Sequence, residues 1–345
     1  MKQIAERAGV SRPLVSYALN GTGTISPTKR AEILQIAQEL GYRPNSLARA
    51  IATGRNQVLG FIGHDEANAA EFQWRLLRGA LEEAKLHGYL IKTLLTTDPE
   101  LSAQFCLESR LAGLISVTAS DPGFLELQRI LREQKDALQT PLVLVENEEP
   151  VENAACVSTD YAAGIELVVR HLVELGHRRI AYISGGEKQF SAQNRRAHFV
   201  RIAQKWGVAP APELLRDGLW WNRAHNVAVT RALLDLPQPP TAIVGAGDAI
   251  ALCAIAVAQE KGWRVPQDLS VTGFADFQMA EFSSPALTTI AQPFEEIGAL
   301  AVRCLLEYLE SQDAFDAPTP APPFRTQNTL QPLLVVRHST APPRV

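Results

Sequence analysis

The sequence predicts a small all-α head followed by a larger α/β body built on parallel sheets. Three observations predict it. The first 55 residues carry two apolar helical stripes around the turn Ala8-Gly9-Val10-Ser11, then a third helix after Ser26-Pro27. Charge divides at the same place: residues 1–55 hold 8 Lys+Arg and 3 Asp+Glu, net +5, which leaves −9 on the remainder of a chain whose total is −4. A basic head on an acidic body suits phosphate contact by the head alone. From residue 56 onward, short apolar runs alternate with amphipathic stretches, the pattern of parallel sheets flanked by helices.

Local rules justify each element of the head. Ile4, Ala5 and Ala8 share one helical face. Gly9 supplies the positive φ of a sharp turn. Ser11 is an N-cap, and Pro13 sits in the first turn of the next helix, where a missing N–H costs nothing. Leu14, Val15, Ala18 and Leu19 form a second apolar face, so Arg12, Ser16 and Tyr17 point elsewhere. In a helix-turn-helix the second helix enters the major groove with its N-terminal residues toward base edges. Arg12 then suits the paired acceptors of a guanine, and Tyr17 a base or a phosphate. In the third helix Ser26 caps, Pro27 opens, and Ile33, Ile36, Ala37 and Leu40 make the stripe; Gly41 ends it and Pro44 follows.

In the body, Val58–Gly63, Tyr89–Leu95, Leu142–Val145, Arg179–Ile183 and Ala242–Val244 read as strands, and Leu76–His87 as an amphipathic helix. Such sheets bind ligands at the carboxyl ends of their strands. A length of 345 residues fits two or three domains, and 46% hydrophobic residues supply their cores. The longest apolar run, Ala249–Ala258, is too short to span a bilayer, and the N-terminus reads directly as a helix with no signal-peptide pattern. Cys106, Cys156, Cys253 and Cys304 show no CxxC spacing, so reduced buried thiols are expected, with no metal or organic cofactor.

From Ala5 to Arg55 the chain resembles the DNA-binding head and hinge of the lactose-repressor (LacI/GalR) family of bacterial regulators. The resemblance continues through Leu59-Gly60-Phe61-Ile62, Gly113-Leu114-Ile115 and the run His171-Leu172-Val173-Glu174-Leu175-Gly176-His177-Arg178-Arg179-Ile180-Ala181. Pro240-Thr241-Ala242-Ile243, Val265 to Phe274, Pro285 to Ile290 and Gln292-Pro293 complete it. It implies a helix-turn-helix head and a periplasmic-binding-protein-like body of two parallel-sheet lobes. The expected domains are a head over 1–44, a hinge helix or linker over 45–56 and a body over 57–345. Within the body, lobe 1 is expected at 57–156 and 289–316, and lobe 2 at 157–288 and 317–345, with a C-terminal strand near Leu333–Arg337 and a loop over Asp313–Pro323.

The resemblance also implies roles. The DNA-facing residues would be Ser11, Arg12, Pro13, Ser16, Tyr17, Asn20 and Lys29 in the head, then Tyr42, Asn45, Ala48, Arg49 and Ile51 toward and within the hinge. Asn45–Arg55 would become helical on DNA, with Ile51 as the apolar wedge in the minor groove, where the family usually has leucine. The effector cleft would draw on Phe72, Asp160, Arg195, Trp220, Asp248, Asp276 and Gln292. Asp248 would accept from ligand hydroxyls or cap a helix, Arg195 would present a fork of donors, and Trp220 would stack on a sugar ring.

Departures from the family touch specificity. Gly247 stands where Asn is usual, His198 where Gly is usual, Tyr17 for Arg and Leu14 for Thr; Trp221 adds an aromatic, and the loop Ala67–Arg75 reads two residues long. Enzyme signatures are weak. Gly245-Ala246-Gly247-Asp248 lacks the third glycine of a dinucleotide loop, Gly185-Gly186-Glu187-Lys188 lacks P-loop spacing, His64-Asp65 reads as a strand-end turn, and no GxSxG or HExxH occurs. The expected protein is a non-enzymatic, dimeric repressor of the bacterial cytoplasm and nucleoid, gated by a sugar or related metabolite, on a pseudo-palindromic operator. The end at Val345, without heptads, predicts no coiled-coil tetramer. The alternative, a sugar-binding protein or sugar-acting enzyme on the same body, leaves the basic head without a purpose.

Overall fold

The computed structural model describes residues 2–20, 25–40, 56–65, 70–109, 111–117, 126, 129–130, 140–148, 150–186, 190–220, 222–314, 324 and 326–344. Met1–Gln57 and Val58–Val345 are separate compact units.

The first unit holds α1 (Lys2–Ala8), α2 (Arg12–Asn20) and α3 (Pro27–Glu39). Gly9 turns between α1 and α2 at φ 64. Ser11 Oγ accepts from Leu14 N at 3.4 Å, and Ser26 Oγ accepts from Lys29 N, so both expected caps form. Ile4, Ala5, Ala8, Val15, Ala18, Ile33 and Ala37 make the core, with Ile36 at its margin. Leu40, expected on the α3 stripe, is exposed. Arg7 on α1 pairs with Glu39 on α3 at 2.8 Å.

The body alternates as expected. Its first lobe is a sheet ordered β11-β5-β4-β3-β1-β2, with all adjacent pairs parallel. The strands are β1 (Val58–Gly63), β2 (Leu90–Leu95), β3 (Gly113–Ser116), β4 (Leu142–Val145), β5 (Ala154–Thr159) and β11 (Gln327–Leu330). It is flanked by α4 (Ala70–Leu86), α5 (Pro99–Ser109) and α11 (Phe294–Ala314). The second lobe is ordered β12-β10-β9-β8-β6-β7, parallel except for β12. Its strands are β6 (Ile180–Ser184), β7 (Leu215–Asp217), β8 (Ala242–Gly245), β9 (Ser270–Ala275), β10 (Thr288–Ala291) and β12 (Leu333–Val335). Its helices are α6 (Tyr161–Glu174), α7 (Phe190–Lys205), α8 (Arg223–Leu234), α9 (Asp248–Glu260) and α10 (Gln278–Phe282). Among the described residues, no helix is long and apolar enough to cross a membrane.

The lobe boundaries differ from expectation. β5 is buried throughout and pairs with both β4 and β11, so the chain cannot leave the first sheet at 156; it leaves at Asp160. β10 belongs to the second sheet, so the return crossing lies at Gln292 rather than 289. β11 pairs with Cys156 to Thr159 in the first sheet, which moves the last crossing from 317 to the Gln331-Pro332 step before β12. The expected loop Ala67–Arg75 is helical from Ala70, because Gln73 and Leu76, three apart, both find buried positions on α4. α11 extends through Ala314, two residues into the expected loop over Asp313–Pro323.

α4 and α11 meet backbone to backbone. A Cβ on Gly79 would collide with the Glu295 carbonyl, and one on Gly298 with the Leu76 carbonyl. Two helices approach this closely only where both lack side chains.

Candidate functional site

The head presents one polar face. Ser11, Arg12, Pro13 and Tyr17 are exposed and Ser16 is half-buried, while Val15 and Ala18 point into the core. Residues 12, 13, 16, 17 and 20 share a stripe at helical spacing along α2, which ends at Asn20. Lys29 is turned inward: its ammonium donates to the Ala8 carbonyl at 2.9 Å and to Glu32 at 3.0 Å, holding α3 to the end of α1. Tyr42, Asn45, Ala48, Arg49 and Ile51 lie outside the described residues.

In the body, strand ends converge between the lobes. Arg195 on α7 is the centre. It is 8% exposed, and its Nη1 donates to the Ala246 carbonyl, just after β8, at 2.8 Å. Its guanidinium lies 4.3 Å from the ring centre of Tyr161, 4.7 Å from Phe274 and 5.5 Å from Trp220. Its Nε finds no acceptor among the described residues. Burial works against its charge, but Tyr161 and Glu146 outweigh that and hold its pKa above the usual range.

Glu146, directly after β4, closes this box from the first lobe. It sits at φ 57. Its carboxylate accepts from the Tyr161 hydroxyl, from Thr159 Oγ1 at 3.0 Å and from Gln292 Nε2 at 3.1 Å. Gln292 also donates to Thr159 Oγ1 at 2.9 Å. Burial raises the Glu146 pKa against the pull of Tyr161, Arg195 and Thr159. Trp220 fits against two backbones: its backbone N–H donates to the Gly185 carbonyl at 2.9 Å, and a Cβ on Gly247 would lie 2.8 Å from the indole.

These elements recur in known proteins. Residues 1–45 match the model described as bacterial regulatory proteins, lacI family, and residues 169–340 that of a periplasmic binding protein-like domain. Over 317 residues, 90% of each chain, the sequence is 31% identical to the HTH-type transcriptional repressor CytR of Escherichia coli. The chain belongs to the lacI family of bacterial regulatory proteins. It is 28% identical to the ribose operon repressor of Haemophilus influenzae over 98% of each chain. Among solved structures it resembles the lac repressor dimer bound to operator and the anti-inducer ONPF, with TM-score 0.78 and 25% identity over 98% of each chain. It also resembles a CelR–cellobiose complex, with TM-score 0.71 and 25% identity over 97% of this chain and 98% of that one. This lacI-family chain is a ligand-responsive, DNA-binding transcriptional regulator, and its relatives are regulators rather than enzymes.

Of the cleft residues expected in the lacI-family regulator, the structure brings Arg195, Trp220 and Gln292 together. Asp160 and Asp248 are both bonded within the protein. Asp160 is the N-cap of α6, accepting from Ala163 N at 2.8 Å and from Gln331 Nε2 at 3.0 Å, so both oxygens serve the lobe crossing. Asp248 is fully buried, and its two oxygens accept from Thr289 and Phe277. It does not cap α9, whose N-cap is Gly247. Asp276 forms an ion pair with Arg337 at 2.7 Å, though not in hydrogen-bond alignment. Phe72 packs edge-on to Phe294, with centroids 5.4 Å apart. Glu146, Tyr161 and Phe274 were missed. Glu146 carried a legible signal, an acid directly after the apolar run Leu142–Val145.

Proposed function

We propose that this regulator is a repressor whose effector is a small polyhydroxylated molecule, a sugar or a related polar metabolite, bound between the lobes at the Arg195 box. One observation carries the reading: a nearly buried guanidinium, walled by three aromatic faces, keeps one donor, Nε, without an acceptor among the described residues. A sugar ring matches that chemistry, since its C–H face suits an aromatic ring and its hydroxyls accept from Arg195 and exchange hydrogen bonds with Gln292 and Glu146. Phe72 and Asp276 form the outer margin.

Two copies would read a pseudo-palindromic operator in the bacterial cytoplasm, because a two-fold protein needs a two-fold site. Trp74 and Leu81, seven residues apart on α4, are both exposed, as is Leu90 on the edge strand β2; this apolar surface supports pairing. Arg12 and Tyr17 would contact bases or phosphates, and residues 45–55 would supply the minor-groove wedge at Ile51.

A thermal-shift screen of the full chain against sugars and sugar phosphates tests the effector class. A stabilising sugar that loses its effect in Arg195→Met supports the reading. Stabilisation that survives intact in that variant rejects the site, and a screen in which no sugar or sugar phosphate stabilises rejects the ligand class.

A further inference from the structure

Asp248 is enclosed by its own lobe. Oδ2 accepts from Phe277 N at 2.7 Å, and Oδ1 accepts from the Thr289 hydroxyl at 2.5 Å. Gly273 makes the room, since a Cβ there would collide with Oδ1. One carboxylate therefore joins the start of α9, the turn after β9, and β10.

The turn it holds is strained and well placed. Ala275 has φ 134 and Asp276 φ 55. Non-glycine residues stay in that region only where their surroundings over-determine them. The same turn bridges to the first lobe. Arg75 donates to the Asp276 carbonyl at 3.4 Å, and Gln278 N donates to Glu71 at 2.8 Å. Phe277 stacks on Phe294 at 6.1 Å and 19°, and with Ala275 it belongs to the first lobe's core. One residue upstream, Phe274 forms a wall of the Arg195 box.

We propose that Asp248 is a positioning residue: it ties down the turn 274–277, which walls the cleft at one end and grips the first lobe at the other, so that cleft and lobe contact move together. The part of this concerning the cleft rests on the effector site proposed above; the grip on the first lobe stands without it. A carboxylate serving only its own helix would influence the first turn of α9 and nothing in the other lobe.

Hydrogen–deuterium exchange of the full chain, without ligand, tests this in Asp248→Ala and in the near-isosteric Asp248→Asn. Amides of 274–278 should exchange on the order of tenfold faster than in the wild type. Residues 74–80 of α4, in the other lobe, should lose protection with them, while β8 keeps its own. Faster exchange confined to the first turn of α9, with 74–80 unchanged, overturns the proposal. If the alanine variant does not fold, the asparagine variant decides by the same two outcomes. Because no ligand is used, failure of the sugar screen leaves this result standing, and the reverse also holds.

Discussion

Gly247 and Trp220 share one space: a Cβ on residue 247 would stand 2.8 Å from Cζ3 of the indole. The family's usual asparagine there cannot coexist with this position of Trp220. Gly247→Asn should displace the indole and cost about 1–3 kcal/mol, as overpacking does. Urea unfolding followed by tryptophan fluorescence checks both effects. An unchanged spectrum and midpoint would show that the wall yields freely.

Gly79 and Gly298 make a second prediction. Each faces a carbonyl of the opposing helix, which cannot rotate away as a side chain could. Gly79→Ala should destabilise the body by roughly 1–3 kcal/mol or more, whereas Gly88→Ala, with open space around it but φ 75, should cost less. Equal midpoints in chemical denaturation would contradict the close crossing.

His177 predicts a pH dependence. It is 1% exposed and bonded to Thr241, Ser270 and the Ala341 carbonyl. Burial lowers its pKa below 6.5. The unfolded chain therefore binds the extra proton first, so this residue's contribution is present above pH 6.5 and is lost as pH falls through the folded pKa. Stability measured from pH 8 downward should fall more steeply in the wild type than in His177→Gln. Parallel curves would remove His177 as the cause.

Asp248 works with the opposite sign. Burial pushes its pKa from 3.8 to about 6, so its contribution is present below 3.8 and is lost as pH rises through about 6. Asp248→Asn should flatten that segment of the stability curve; an unchanged slope there would contradict the buried ionisation.

Much of this was legible in the sequence. Gly9, Ser11, Ser26 and Pro27 act locally, so the head's turn and caps follow from neighbouring residues. Strands β1, β3, β4, β6 and β8 are apolar runs, and burial repays such runs wherever they pair. β7, with sequence Leu-Arg-Asp, and β11, with sequence Gln-Asn-Thr-Leu, are half-exposed edge strands with no such signal. The fate of Asp248 depended on Phe277 and Thr289, 29 and 41 residues away, so no local rule could tell a ligand acceptor from a tie within the lobe.

The central claim is that occupancy of the Arg195 box changes DNA binding by the head. Fluorescence anisotropy on a selected operator, with and without a sugar that stabilises the chain, tests it most directly. The wild-type operator affinity should shift by a factor of roughly 5–150, while Arg195→Met should bind the operator as tightly as the ligand-free wild type and show no shift. A ligand shift of wild-type size in Arg195→Met, or an operator affinity unmoved by ligand in the wild type, would contradict the account.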